Sequence, residues 1–275
     1  MMQNQKHFCL FLAAAFVFLF SLVAHAQQSS QDRAWALREK GSVLLEQKKY
    51  DAAIAVFEEV DRRFGQDASP EVRSHVVNAL VERAIALEMQ GRTSLALLAC
   101  DEIDRRFGRD TFLIVRHQVV LALNRVKAKI LFEQKKYDEA IEVYGVLIDR
   151  FGDDDYSRTR GQLLEATLNM GNAYGRKGEF DEAIELFEAM DRSYTENMAT
   201  FDRTFVVDGQ LGIMHPGHSL IVEALYAKSG MLLEQNKRAA TIATLEEIER
   251  RFGQDTEPKV RHWVALARKF RANMN

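Results

Sequence analysis

Two short phrases recur in step along this chain, and they constrain its fold more than any other feature of the sequence. One phrase joins an acidic residue, arginine, phenylalanine and glycine, and it occurs at Asp61–Gly65, Asp104–Gly108, Asp149–Gly152 and Glu249–Gly253, with a degenerate copy at Asp191–Tyr194. The other occurs at Leu45–Tyr50, Phe132–Tyr137 and, more loosely, Leu233–Arg238. Because the same two intervals separate copies of both phrases, the chain is predicted to consist of internal repeats.

The spacing of apolar residues between the phrases is helical. After Tyr137, apolar residues fall three and four positions apart, at Ala140, Ile141, Val143, Tyr144, Leu147, Ile148 and Phe151. The arginines that follow suit a last helical turn, and the glycine after them is predicted to adopt a left-handed C-terminal cap. Ser69 and Pro70 are typical of a helix start. Each repeat is therefore predicted to be a helix, a tight turn, a second helix and a short loop.

The repeats resemble tetratricopeptide repeats, whose pattern places a small residue, an aromatic or leucine, a packed alanine and an aromatic at set offsets. The matching sets are Gly171, Tyr174, Ala183 and Phe187; Gly41, Leu44, Ala53 and Phe57; Ala128, Leu131, Ala140 and Tyr144; and, less closely, Ala84, Leu87, Ala96 and Cys100, then Ser229, Leu232, Thr241 and Leu245. This resemblance covers most of residues 31–255. It implies an all-α fold, an α-solenoid of about five helix-turn-helix repeats.

The period departs from that of the family. The packed alanines Ala53, Ala96, Ala140 and Ala183 recur every 43 or 44 residues, whereas the family period is about 34 residues. We expect the surplus in longer first helices or longer loops. Residues 258–274 have a helical pattern and are expected to cap the last pair, because a solenoid repeat buries its apolar face only against a neighbour.

One step in the array is too long, and the surplus falls in residues 195–219. Asp208-Gly209 between apolar residues indicates either a hairpin turn or an irregular loop. Insertions in repeat arrays often lie on a binding face, so this insertion is a candidate for partner binding.

The first 26 residues differ from the rest of the chain. Lys6 precedes an uncharged, largely apolar run over residues 8–24, and Ala24-His25-Ala26 follows. This pattern is typical of a secretory signal peptide cleaved after Ala26, and a retained membrane anchor is the alternative. The sequence therefore predicts residues 27–275 as a periplasmic or secreted domain that does not insert into a membrane. In that domain Cys100 is the only cysteine, and its apolar neighbours predict a buried thiol.

The composition and motifs argue against several functions. Formal net charge is -3 with both signs interspersed, which does not favour nucleic-acid binding. No catalytic motif is present, so no enzyme activity and no cofactor are predicted. His215 and His218 match no usual zinc spacing, and they are interpreted as part of a turn that starts a helix.

The resemblance points to a surface rather than a motif. In tetratricopeptide folds the first helices line a concave groove, and the residues of this chain that match the groove positions are Arg38, Ser42, Asn78, Glu82, Arg125, Lys129, Asn169, Asn172 and Arg176. Cationic and amide side chains there suit an extended peptide or its terminal carboxylate. The expected function is an exported scaffold for protein partners, and the alternative is a structural subunit of a cell-envelope assembly.

Overall fold

The computed structural model describes residues 30–154, 156–196, 203–207, 210–214 and 217–274, and of residues 157, 203–207 and 210–214 it describes the backbone only. The predicted signal peptide, residues 1–26, lies outside them. The fold class is the expected all-α repeat solenoid. Its helices form five pairs and a C-terminal capping helix, as predicted. The chain divides into two compact units after Val119, unit 1 before that point and unit 2 from Val120 onward.

The helices of the pairs follow one another in chain order. In unit 1, pair 1 is α1 (30–46) and α2 (Tyr50–Phe64), and pair 2 is α3 (Pro70–Met89) and α4 (Thr93–Phe107). The first helix of pair 3 runs through α5 (Leu113–Leu121), a π-helical segment (Ala122–Ala128) and α6 (Lys129–Glu133), and its second helix is α7 (Tyr137–Phe151). Pair 4 is α8 (Ser157–Lys177) and α9 (Phe180–Glu196), pair 5 is α10 (His218–Glu234) and α11 (Arg238–Phe252), and the capping helix is α12 (Pro258–Ala272).

The long period comes from the first helices. The helices α3 and α8 contain 20 and 21 residues, whereas α2, α4 and α7 each contain 15. The single extra residue that makes one interval 44 rather than 43 lies before Ala128, where the helix widens into the π-helical segment. A π-helical turn absorbs one inserted residue without ending the helix, so the repeat register is kept on both sides of it.

The turn inside each pair has the same geometry in all five pairs. Its second residue has positive φ: Lys48, Gly91, Lys135, Gly178 and Asn236. The residue after it donates its backbone N–H to a carbonyl five positions earlier, as Lys49 does to Leu44 at 2.9 Å and Lys237 to Leu232 at 2.9 Å. This bond is the six-to-one bond of a Schellman cap. The repeated Gln-Lys-Lys phrase therefore encodes a left-handed turn.

The glycine that ends four of the five second helices is right-handed, so its predicted left-handed cap is wrong. Gly65 has a φ of -62° and Gly253 also -62°. Glycine is needed there for space instead. A Cβ on Gly65 would lie 2.5 Å from the Asp61 carbonyl oxygen, and one on Gly253 would lie 2.3 Å from that of Glu249.

In pairs 1 and 4, an aromatic ring of the second helix packs against a glycine of the first helix. Phe57 and Phe187 are fully buried, and a Cβ added to Gly41 or Gly171 would lie 2.4 Å from the facing ring carbon. Pair 5 departs from the pattern because Thr241 replaces the packed alanine. Its hydroxyl donates to the Lys237 carbonyl oxygen at 3.1 Å, so the polar group is satisfied although the residue is fully buried.

The insertion forms a hairpin. Strands β1 (Arg203–Val207) and β2 (Gln210–Met214) pair antiparallel, with Arg203 opposite Met214 and Val207 opposite Gln210. Asp208 and Gly209 lie outside the described residues. Of the two interpretations of the insertion, the hairpin agrees with this pairing.

An aspartate lies two residues after the glycine of the recurring Phe-Gly phrase, and it orders the loop that follows each of these second helices. The side chains of Asp67, Asp110, Asp154 and Asp255 each accept a hydrogen bond from the backbone N–H two residues on, at 2.8–2.9 Å. The recurring phrase is therefore Phe-Gly-x-Asp. The aspartate starts a local turn, so the next pair begins from a set position.

Neighbouring pairs are joined by a recurrent two-pronged ion pair. Arg106 of pair 2 donates to both carboxylate oxygens of Asp61 in pair 1, at 2.9 and 2.7 Å. Arg251 of pair 5 does the same to Asp191 of pair 4, at 2.7 Å each. The bond to the aspartate raises the pKa of each guanidinium.

The capping helix copies this contact. Arg268 and Arg271 of α12 each lie 3.0 Å from a carboxylate oxygen of Glu249, which occupies the Asp61 position in pair 5. The residues of the arginine-glycine phrase therefore join neighbouring repeats as well as ending a helix.

Candidate partner-binding site

The residues expected to line a groove fall into two sets, one in each unit. Arg38 and Asn78 lie in unit 1, and Arg125, Lys129, Asn169, Asn172 and Arg176 lie in unit 2. The structure thus separates them into two candidate faces, one formed by α1 and α3, the other by the first helices of pairs 3 to 5.

The unit 1 set is engaged within the protein. Arg38 donates to Glu82 at 2.9 Å and also bonds Glu39, while the Ser42 hydroxyl donates to the second oxygen of Glu82. Burial raises the pKa of the Glu82 carboxyl, and its bonds to Ser42 and Arg38 oppose that rise. Burial and the nearby Arg38 charge lower the pKa of His75. Arg38 therefore serves to join α1 to α3.

Two of the unit 2 cations are also paired. Arg125 donates to the Gln162 side-chain oxygen at 3.0 Å and to Glu165 at 2.9 Å, so it links the π-helical segment to α8. Lys129 lies 3.4 Å from Glu133, one turn later on its own helix. An incoming carboxylate would have to displace these partners, which lowers the affinity either cation can offer.

Asn169, Asn172 and Arg176 form the open part of the site. Their spacing on α8 places them on one face of the helix. Both asparagines are half-buried and Arg176 is exposed. Among the residues that the structure describes, none of the three has a hydrogen-bond or ion-pair partner, so their polar groups face solvent. We call these three residues the α8 stripe.

The neighbouring helix leaves room beside the α8 stripe. In pair 5, Ala227 and Gly230 of α10 stand at the repeat positions of Asn169 and Asn172. A Cβ added to Gly230 would meet no atom within 4 Å. Glycine inside a helix costs about 0.5–1 kcal/mol relative to alanine, and packing does not require it here. Ala227 and Gly230 are too small to fill the space above this part of α10, and we call that space beside the α8 stripe the trough.

The rim of this trough carries carboxylates. Glu223 of α10 occupies the repeat position of Glu165 on α8. Burial, and then the charge of Glu165, raises the pKa of Glu223. The trough thus combines amide donors and acceptors, one exposed arginine and a partly buried acidic pair, which suits a polar peptide backbone better than an apolar ligand.

The cysteine and histidines that the sequence analysis considered do not form a site in the described part of the chain. Cys100 is fully buried, as predicted. His218 starts α10, and its Nδ1 lies 2.8 Å from Asp255, in the loop before α12; His215 lies outside the described residues. Across the described ranges, no three histidine, cysteine or acidic side chains are grouped to hold a metal ion. Within the same ranges, no helix has the length and apolarity needed to cross a membrane.

Sequence reasoning missed which cations are already paired. Arg38 meets Glu82, and Arg125 meets Glu165, about one repeat later in the chain. A signal was available, because an acidic residue on one first helix stands one repeat after an arginine on the preceding first helix. It also missed Gly230, whose place inside a helix marks it as unusual.

Three family models match parts of the chain. Two describe tetratricopeptide repeats and match residues 20–68 and 126–148, and one describes a PPR repeat and matches residues 169–194. No curated protein matches the chain.

The fold is similar to that of several solved helical-repeat proteins. A Podosopora anserina putative kinesin light chain with nearly identical TPR-like repeats shares 13% identity at a TM-score of 0.54, covering 87% of this chain and 98% of that one. BtubC from P. vanneervenii shares 13% identity at 0.57, over 92% and 85%, and the apo form of RapI shares 10% at 0.57, over 88% and 84%. Together with the repeat-model matches over residues 20–68 and 126–148, this common architecture shows that the chain has the helical-repeat fold of tetratricopeptide-repeat proteins.

Proposed function

We propose that this protein is an exported scaffold that holds an extended segment of a partner protein in the trough between the α8 stripe and α10. Tetratricopeptide repeats suggest a protein–protein interaction scaffold in general. The observation that carries the specific proposal is the contrast along the first helices. Arg38, Arg125 and Lys129 are paired within the protein, whereas Asn169, Asn172 and Arg176 have no partner among the described residues.

The chemistry of the α8 stripe fits an extended backbone. An asparagine amide offers two donors and one acceptor oxygen, so it can pair with both the carbonyl and the N–H of one peptide unit. Asn169 and Asn172 are one turn apart, close enough to bind successive parts of one strand. Arg176, one further turn along, can pair with a carboxylate of the same segment. The partner is therefore an extended segment with an acidic group near one end.

The proposal predicts that peptides bind through the α8 stripe. The protein would be used to select binders from a random 12-residue peptide library, and affinities would then be measured by fluorescence anisotropy. The Asn169→Ala, Asn172→Ala double variant loses two hydrogen-bonded amides, so we expect the Kd to rise about ten-fold or more. The Cβ of Gly230→Leu would meet no described atom within 4 Å, so we expect the leucine side chain to extend into the trough and weaken binding to a similar degree.

The control is Arg250→Ala. Arg250 lies on α11, and its side chain is 74% exposed, so its removal tests for a general loss of charge and should leave the Kd within two-fold. Circular dichroism at 222 nm confirms that each variant keeps its helices. The proposal fails if no peptide is selected, or if the selected peptides bind the stripe variants as well as the parent protein.

Export is the second part of the proposal and has its own test. The apolar run over residues 8–24 and the Ala24-His25-Ala26 sequence support cleavage after Ala26. We expect the protein, expressed in a bacterial host with its own N-terminus, to appear in the periplasmic fraction or the medium with Gln27 as its first residue by intact mass. A chain that retains residues 1–26 and sediments with membranes would show an anchor instead.

A further inference from the structure

The first pair presents a face that later pairs bury. Ala36 and Val43 of α1 are exposed, Val43 by 49%. The residues at their repeat positions in pair 2 are Ala79 and Ala86, which are fully buried where α3 packs beside α2. In pair 4 these positions hold Ala166 and Ala173, also fully buried. The exposed side of α1 is thus built like an inter-repeat contact.

Charged and polar residues surround this apolar strip. We define the leading face by Ala36, Lys40 and Val43 of α1, by Gln47 and Lys49 of the following turn, and by Arg63 of α2. Lys40, Gln47 and Lys49 are exposed, and the Arg63 side chain is 58% exposed. Arg63 occupies the position of Arg106 and Arg251, yet within the described residues it bonds only Glu59 on its own helix.

Pair 5 shows what such a face binds. Its residues at the corresponding positions are of the same type, namely Ala224 for Ala36, Lys228 for Lys40, Gln235 for Gln47, Lys237 for Lys49 and Arg251 for Arg63.

Each of the four polar residues in pair 5 contacts a carboxylate of α9. Gln235 donates to Asp181 at 2.9 Å and Lys237 lies 3.6 Å from it, Lys228 donates to Glu188 at 2.7 Å, and Arg251 binds Asp191.

We infer that the leading face docks a helix of a partner protein that resembles α9 in its chemistry. That helix would be amphipathic, with three carboxylates on the contact side spaced as Asp181, Glu188 and Asp191 are. The first and last of them are about 15 Å apart along a helix, at 1.5 Å per residue. This contact lies outside the α8 stripe and does not depend on it.

The charges argue against other occupants. Residues 1–29 of the chain contain no aspartate or glutamate, so they offer no side-chain carboxylate to Lys40 or Arg63. The capping helix α12 also contains no acidic residue and carries exposed basic ones, so a second copy stacked end to end would place like charges together. Two leading faces meeting head to head would do the same. A different protein with an acidic helix fits best.

A defined probe tests the inference. The probe is the α9 peptide, residues 180–196, with a hydrocarbon staple between positions 185 and 189, both of which are exposed in the protein. The staple is needed because an isolated helix of this length is marginal in water. We expect the labelled peptide to bind the full chain in an anisotropy titration. Arg63→Gln should raise its Kd about ten-fold, since a two-pronged charged contact is lost.

Arg62→Gln is the matched control. It removes the same charge one residue away, but Arg62 is 70% exposed at a position that remains exposed in Arg105 and Arg250. We expect its Kd to stay within two-fold. A peptide with Asp181→Asn and Asp191→Asn should bind about as weakly to the parent protein as the unchanged peptide binds to Arg63→Gln.

Any of four results would overturn the inference. Equal weakening by Arg62→Gln and Arg63→Gln would indicate general charge attraction. Binding by a chain that starts at residue 27 but not by the full chain would show that residues 1–26 cover the face. A dimer in analytical ultracentrifugation that Arg63→Gln dissociates would make the occupant a second copy. Absence of binding by either chain would remove the site altogether.

Discussion

Replacement of Phe187 with alanine is expected to lower the free energy of unfolding by about 3–5 kcal/mol. Phe187 is fully buried in α9, and its ring lies against Gly171 of α8 so closely that no Cβ fits between them. The space left by the ring would lie among other buried residues of the same core, such as Ala183 and Met190, so we expect it to close only in part. Removing the ring therefore loses its transfer free energy and leaves a cavity. Urea unfolding followed at 222 nm measures the change.

The matched control for Phe187→Ala is Leu98→Ala. Leu98 is a large apolar residue on α4, but 62% of it is exposed, so its truncation should change the free energy of unfolding by no more than about 0.5 kcal/mol. If Phe187→Ala costs as little as the control, the ring does not hold pair 4 together, and the aromatic-on-glycine contact is not the structural basis of the repeat.

The paired-helix fold was predictable because its determinants are local. The spacing of Ala140, Tyr144 and Leu147 identifies one face of α7, and the recurrence of that face along the chain identifies the array. Even the extra residue before Ala128 could be counted. The sequence could not predict that this residue would be accommodated by a π-helical segment rather than by a longer loop. Both outcomes keep the repeat register, and they differ only in backbone hydrogen bonding.

Gly65, which ends the second helix of pair 1, is a glycine for a reason other than the one that the sequence predicted. A left-handed cap was the expected reason for Gly65, and the left-handed residue is instead Lys48, in the turn inside the pair. Gly65 leaves room for Arg106, whose guanidinium donates to the Gly65 carbonyl oxygen at 3.4 Å as well as to Asp61. The reason depends on a contact with the next pair.

The residue types at the candidate site could be predicted from the sequence, but which of these side chains are open to a ligand could not. Groove positions can be assigned by offset within a repeat, and all the assigned residues lie on first helices as expected. Whether a cation there is open to a ligand depends on the next first helix, where Glu82 meets Arg38 and Glu165 meets Arg125. Packing brings these residues together, so the α8 stripe emerges only once the helices are placed.

Removal of either side chain of the Arg251–Asp191 pair is expected to lower the free energy of unfolding by about 2–4 kcal/mol. Both side chains are only 20% exposed, and both prongs are 2.7 Å long. Truncating one partner leaves the other partly buried without its counter-charge, which is more costly than losing an exposed ion pair. Arg251→Ala also removes the guanidinium from above the Phe252 ring, 5.0 Å from its centroid.

A double-mutant cycle separates these effects. Arg251→Ala, Asp191→Ala and the double variant are compared by urea unfolding, and the stacking on Phe252 cancels because it is absent from both variants that lack Arg251. We expect a coupling energy of about 1.5–3 kcal/mol. Arg250→Ala, one residue away and 74% exposed, should change stability by less than about 0.5 kcal/mol.

A coupling energy near zero would mean that the Arg251–Asp191 contact does not help to join pairs 4 and 5. In that case the equivalence of Arg63 and Arg251 would no longer support an acidic helix as the partner of the leading face, and the assignment would depend on the contacts that Lys228, Gln235 and Lys237 make in pair 5.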